Sequence, residues 1–175
     1  IGTSSIVDIR AVIEEGAVIG EHCVIGPGVV IHSNVIIGNN CVIKANSVIG
    51  SEAFVPWGID LTCNLTSLGS VILEDGVGIG ALCSVDRGLI GATIIKAHAM
   101  LDNMVHVGHD VEIGKNVVIA AQAGLAGFVQ VDDMATLGGQ VGVVPFVHIG
   151  AHARISGKSL VHCDVKPYEI WSGNP

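Results

Sequence analysis

Every sixth residue from Ile1 to Ile49 is a branched aliphatic: Ile1, Val7, Ile13, Ile19, Ile25, Ile31, Ile37, Ile43 and Ile49. Four positions after each marker stands a small or β-branched residue, among them Ala11, Ala17, Cys23, Val29, Cys41 and Ala53, and glycine often follows the marker itself, as at Gly20, Gly26 and Gly38. A period of six cannot hold one face of a 3.6-residue helix, whereas short strands joined by tight turns satisfy it. The pattern predicts an all-β chain built as a parallel β-helix. Three hexads close one triangular coil of 18 residues, with the markers inward and the small residues where the chain turns.

Composition agrees with such a prism. Apolar residues make up 50% of the chain but aromatics only 3% and charged residues 14%, so the core must be filled by Val, Ile, Ala and Gly. The count breaks at 55–70, VPWGIDLTCNLTSLGS, which predicts a loop ejected from the coil. An insertion of this length on a rigid solenoid either serves a binding site or is a tolerated surface excursion. Markers resume at Leu73, Ile79 and Val85, slip by four residues around VDRGLIGAT, and lock again from Ile95 to Val161. After Val165 the segment KPYEIWSGNP is expected to leave the coil. The chain then divides into a β-helix domain, 1–166, and an extension, 167–175. About eight coils, each advancing near 4.8 Å, give a prism roughly 40 Å long. Its open end coils and flat apolar faces predict a homo-oligomer. Because Ile1 falls in mid-pattern, the chain reads as a piece of a longer one.

Several classes are disfavoured. A formal charge of -8 argues against nucleic acid as a partner. Gly, Asn, Glu or His interrupts every apolar run before the roughly 18 residues a spanning helix needs. The five cysteines form no zinc spacing. Cys23 and Cys41, one coil apart, read as small buried thiols of a reducing cytosol, with a disulfide as the alternative. No three histidines share one column of the repeat, so no metal site is expected.

The stretch LDNMVHVGHDVEIG, Leu101 to Gly114, carries the chemistry. His109 falls at a corner, two residues past the marker Val107, where its side chain should point outward. Eighteen residues later stands Gly127, one coil above. An imidazole is a competent general base at neutral pH, and a glycine amide with no side chain in the way can donate to a developing oxyanion. The pair is the minimum for acyl transfer without a covalent intermediate, although a solvated bystander histidine is the plain alternative at a corner. No Ser-His-Asp ordering and no phosphate loop are visible.

The runs GALCSVDRG, ATIIKAHAMLDNMVHVGHDVEIG, GLAGF and LGGQVG make the chain resemble the UDP-3-O-acylglucosamine N-acyltransferases of lipid A biosynthesis, hexapeptide-repeat enzymes, across nearly all of residues 1 to 175. The resemblance implies a left-handed β-helix, a cytoplasmic homotrimer with active sites between prisms, and an acyl carrier protein that delivers a 3-hydroxyacyl thioester on its phosphopantetheine. No other cofactor is implied. By matching motif His109 would be the general base and Gly127 the oxyanion amide, while Asp102 and Asn103 would lie near the UDP-sugar and pantetheine. The family's N-terminal cap domain has no counterpart in this chain.

Asp110, directly after the histidine, is instead similar to the sister UDP-N-acetylglucosamine O-acyltransferases, where an aspartate supports the base. Met104, Phe128 and Phe146 are candidates to line a hydrocarbon groove. Arg154, Lys158 and Lys166 are candidates to dock an acidic carrier protein. A coenzyme A-dependent sugar N-acetyltransferase keeps the fold and chemistry with another donor, and a non-catalytic β-helix would leave the shared column of His109 and Gly127 without a reason.

Overall fold

Valine–isoleucine pairs recur because each hexad places two strongly β-prone residues in one short strand, the first facing out and the second in. The computed structural model describes residues 1–57 and 63–173. Among them lie three parallel sheets. The first face runs from Ile6–Val7 to Ile170–Trp171 in nine strands, the second from Val12–Ile13 to Leu160–Val161 in eight, and the third from Val18–Ile19 to His148–Ile149 in seven. Partners on adjacent rungs are one coil apart, as Ile25↔Ile43, Val107↔Leu125 and Ile113↔Val131. This is the left-handed parallel β-helix, with nine rungs on its first face where the hexad count suggested about eight coils. No helix among the described residues is long and apolar enough to cross a membrane.

The additional rung comes from the segment expected to leave the coil. Ile170–Trp171 pairs with Arg154–Ile155, and Val165 bridges to Ile149. Both pairs are two residues closer in sequence than one coil. A shortened corner therefore hid the frame from a count in sixes, and the coil continues past Lys166.

Two interruptions shape the surface. The chain departs after the strand Val48–Ser51 and returns at Ser70–Leu73, whose Leu73 pairs with Ile37. Ser70, expected in the loop, is already on the third face. Within the excursion Pro56–Trp57 pairs antiparallel with Cys63–Asn64. Its root is pinned where Ser67 Oγ accepts the Ala53 N–H at 3.1 Å and the Ser67 N–H donates to Glu52 Oε2 at 2.8 Å. Residues 58–62 of the expected loop, with Asn174 and Pro175, lie outside the described residues. The second interruption is the four-residue slip. Leu73 pairs with Ile95 across it, and the register shifts between Val85 and Asp86.

The markers form one continuous core. Ile31, Ile43, Ile49, Val85, Ile95, Val107, Ile113 and Leu125 have no exposed surface, and each contributes on the order of 1.5–3 kcal/mol of apolar burial. Hydrophilic atoms in the core bridge adjacent coils. The thiols of Cys23, Cys41 and Cys83 are free, and each donates to a carbonyl, of Gly38, Glu74 and Asp102 respectively, at 3.1–3.2 Å. Burial pushes the Cys41 thiol up to about 11.

At the corners non-glycine residues adopt the left-handed conformation, as at Asn40 (φ 56°), Met104 (60°), Phe128 (64°) and Phe146 (66°). That costs on the order of 1–2 kcal/mol per residue. Interchain-like bonding between coils offsets it, since the N–H groups of Asn40, Met104 and Phe128 donate to the carbonyls of Glu21, Ala81 and His109 at 2.8–3.0 Å.

Candidate active site

The strand His106–Val107 of the second face ends at Gly108, and the chain turns through His109 and Asp110 toward the third face. Gly108 is required to be bare. A Cβ there would meet the Gly127 nitrogen and the Leu125 carbonyl at 2.9 Å. Gly127 is likewise constrained, since its Cβ would approach His109 Cε1 and Nε2 to 2.5 Å. The imidazole thus lies directly against the glycine of the next coil, as the arithmetic of the repeat predicts. Among the described residues no acceptor takes the Gly127 N–H.

His109 is less open than a corner suggests. Its side chain is 15% exposed, because Asp110, Gly127 and Phe128 close around it. Asp110 Oδ2 lies 3.0 Å from His109 Nδ1 and also accepts the Leu89 N–H at 2.9 Å, while the Asp110 N–H donates to Thr93 Oγ1 at 2.9 Å. The carboxylate therefore joins the imidazole to the four-residue slip. The tautomer that suits a carboxylate at Nδ1 has its proton there, donated to Asp110, with Nε2 as the acceptor.

Arg87, within the same irregularity, is buried and donates from Nε to the Gly50 carbonyl at 2.7 Å and from Nη2 to the Ser33 carbonyl at 3.3 Å. The buried Asp86 accepts from Ser51 Oγ at 2.7 Å, and its other oxygen lies 3.8 Å from His106 Nε2. Asp86 and Arg87, at the end of the run GALCSVDRG, thus tie the irregular segment to Ser33, Gly50 and Ser51 of earlier coils.

A groove of about 490 Å³ opens beside the imidazole on the second face, lined by His106, His109, Gly124, Gly127, Gly142 and Leu160 among others. Its floor is a stripe at single-coil spacing. Gly124 and Gly142 succeed His106, and Leu160 ends the row. No atom lies within 4 Å of where a Gly124 Cβ would be, so this glycine serves neither turn nor packing and simply leaves room. Phe54, on the excursion, lines the other side. Sequence reasoning missed His106, Asp86, Gly124, Gly142, Leu160 and Phe54. The column that precedes the markers would have revealed the glycine stripe.

The remaining candidates are dispersed. Phe128 packs edge-on against His109 with centroids 5.0 Å apart, and Phe146 stacks on Phe128 at 5.0 Å and 5°. Neither ring is among the residues lining the groove, although Val144 and Pro145, next to Phe146, are. Asp102, Asn103 and Met104 occupy the corner at the other edge of the second face. There Asn103 Oδ1 accepts the Ala81 N–H at 2.9 Å and the Asn103 N–H donates to Asp102 Oδ1 at 2.8 Å. Arg154 is on the first face, with Lys158 and Lys166 at corners on either side of it, and none of the three is among the residues lining the groove. No three His, Cys, Asp or Glu side chains among the described residues converge as a metal cage would require.

The fold and this corner define a hexapeptide-repeat protein, and the model for bacterial transferase hexapeptide (six repeats) matches residues 1–33, 16–51 and 92–127. The UDP-3-O-acylglucosamine N-acyltransferase of Methylobacterium nodulans is 44% identical over 108 residues, which are 62% of this chain and 31% of that protein. The solved UDP-N-acetylglucosamine acyltransferase of Francisella novicida superposes with a TM-score of 0.76 at 32% identity, covering 98% of this chain and 66% of that one. The UDP-N-acetylglucosamine O-acyltransferase of Moraxella catarrhalis gives 0.66 at 30% identity, covering 99% and 71%. The chain belongs to the hexapeptide-repeat acyltransferases of lipid A biosynthesis. Its matched stretch spans about a third of the length of the curated relatives.

Proposed function

We propose that this chain carries the acyl-transfer centre of an enzyme that moves an acyl group from an acyl-carrier-protein thioester to the amine of a UDP-3-O-acylglucosamine. The observation that carries this reading is the contact of the His109 imidazole with Gly127 of the next coil, at the edge of an open groove. His109 Nε2 takes a proton from the amine as its nitrogen bonds to the thioester carbonyl carbon. The Gly127 N–H donates to the resulting oxyanion. Collapse breaks the carbon–sulfur bond, and the proton held by His109 passes to the departing phosphopantetheine thiolate. Asp110 fixes the ring and stabilises its charged form, and the protein needs no bound cofactor because phosphopantetheine arrives with the donor.

The enzyme acts as a homotrimer in the cytoplasm. On the first face the outward residues Ile6, Val24, Val42, Met100 and Val118 are each 41–68% exposed, an apolar stripe of the kind oligomers cover. Asp102, Asn103 and Met104 of a neighbouring prism then complete the site, and Arg154, Lys158 and Lys166 receive the carrier protein.

A second reading, O-acylation of UDP-N-acetylglucosamine, is favoured by one observation. The solved O-acyltransferase relatives follow nearly the whole chain, whereas the N-acyltransferase match covers 62% of it. One experiment separates the readings. The protein is incubated with acyl-carrier and acetyl-CoA donors against both acceptors, and the products are weighed. An amide product from the carrier donor supports the first reading, an ester product replaces it with the second, and turnover unchanged by His109→Ala removes the mechanism from both.

A further inference from the structure

Phe128 and Phe146 occupy corner positions that favour asparagine or glycine. Both hold the left-handed conformation, at φ 64° and 66°, and both expose apolar surface, Phe128 at 39% and Phe146 at 73%. Their rings are coplanar within 5° with centroids 5.0 Å apart, and Phe128 meets the His109 ring at 89°. The two-residue shortening after Val161 breaks this column: Asp164 falls beside His148 and accepts its N–H at 2.8 Å. Among the described residues no further ring stacks on Phe146.

We infer that the outer face of Phe146 is a stacking platform for the nucleobase of the sugar nucleotide. The inference rests on the acyl-transfer reading only in taking a UDP-sugar as the acceptor.

Two features select this occupant over a hydrocarbon chain. A flat, near-parallel pair of rings presents a π face rather than a trough, and aromatic partners prefer such offset stacking at centroid distances of about 4.5–7 Å. The trough is lined by other residues, among them Gly124, Gly142 and Leu160, and by neither ring. The imidazole thus borders two surfaces of different chemistry, lining the groove and meeting Phe128, as a reaction between an acyl donor and a nucleotide requires. A base on Phe146 would lie within about 15 Å of the His109 ring, allowing one further ring spacing beyond the two observed. The ribose and diphosphate of a sugar nucleotide bridge that interval.

The test uses the full chain and measures UDP binding by calorimetry, independently of turnover. Phe146→Leu retains bulk and apolarity but removes the π face. It should weaken UDP binding by about five- to 150-fold, the loss expected for one base–aromatic stack, while leaving KM for the acyl donor unchanged. Phe146→Trp should restore binding and show indole fluorescence quenched on addition of UDP. Circular dichroism and native mass confirm that both variants fold and assemble. Equal UDP affinity in wild-type and Phe146→Leu protein overturns the platform. So does a rise in donor KM alone, which assigns the rings to the hydrocarbon, or loss of assembly alone, which assigns them to a subunit contact. Absence of acyl transfer with the predicted binding changes intact would overturn the catalytic reading and leave the platform standing.

Discussion

The His109 imidazole fills the space that a side chain on Gly127 would occupy, with Nε2 2.5 Å from the position of the missing Cβ. Gly127→Ala should therefore displace the ring while the markers on either side stay packed. A misplacement of about 1 Å costs on the order of 100-fold in rate. Steady-state kinetics should show that loss with the melting temperature nearly unchanged. An alanine variant at wild-type rate would separate the glycine from the chemistry.

Asp110→Asn tests the second contact of the His109 imidazole. The amide oxygen can still accept from both His109 and the Leu89 N–H, as Oδ2 does, but it accepts more weakly and carries no charge to stabilise an imidazolium. The turnover number should fall by at least about 10-fold, with acceptor KM less affected, given the 10²–10⁴ typical of general base catalysis as a whole. Leu89 should exchange its amide proton faster in the variant, which hydrogen exchange reads directly.

Glycines of similar appearance have opposite roles, and stability measurements should separate them. Gly124→Ala adds a methyl group into open space on a strand and should hold or raise stability by up to about 1 kcal/mol. Gly108→Ala places its methyl 2.9 Å from two backbone atoms and should lower stability by 1–3 kcal/mol or so, as overpacking does. Denaturant titration gives both values, and equal effects would refute the distinction.

Thiol reactivity should follow burial. Cys163 is exposed, whereas Cys23, Cys41 and Cys83 are buried, and desolvation holds the Cys41 and Cys83 thiols above the ordinary range. Iodoacetamide at pH 8 followed by peptide mass mapping should find Cys163 alkylated and these three protected until the chain unfolds.

Acid should loosen the first coils before the centre. The Ser33 N–H holds the Glu14 carboxyl below the usual carboxylate range, and the Ser4 hydroxyl and N–H do the same for Glu21. Folded values below unfolded ones mean that this stabilisation is complete above about pH 4.3 and is lost as pH falls through the folded values. Hydrogen exchange at pH 3.5 against pH 6 should show protection lost over residues 2–34 and kept around Ile113. Glu14→Gln with Glu21→Gln should erase the difference.

The prism was legible because a marker every six residues has only one economical geometry, and the pairing of His109 with Gly127 followed from that period. Elements that break the period were harder to read. The two-residue shortening between Val161 and Val165 made a continuing coil look like a departing tail. The slip at VDRGLIGAT was visible as a four-residue offset, but its purpose was not. That Asp110 reaches the Leu89 N–H, and that Arg87 reaches the carbonyls of Gly50 and Ser33, depends on how an irregular segment folds back. The groove escaped notice because glycine announces a turn when read singly, and only the stacked column of His106, Gly124, Gly142 and Leu160 shows a floor.

The excursion that starts after Ser51 and rejoins at Ser70 has its two ends tied by neighbouring sheet pairings, so its length is not coupled to the spacing of the rungs. The interval from His109 to Gly127 has no such freedom. Deleting a single residue there would draw the glycine away from the imidazole and, in the same step, turn the inward aliphatics of that coil to solvent. Insertions in the first place should yield folded protein with altered reactivity, while any in the second should yield none. A pair of residues stacked across one coil in this way can therefore move along the axis only by whole circuits of the chain.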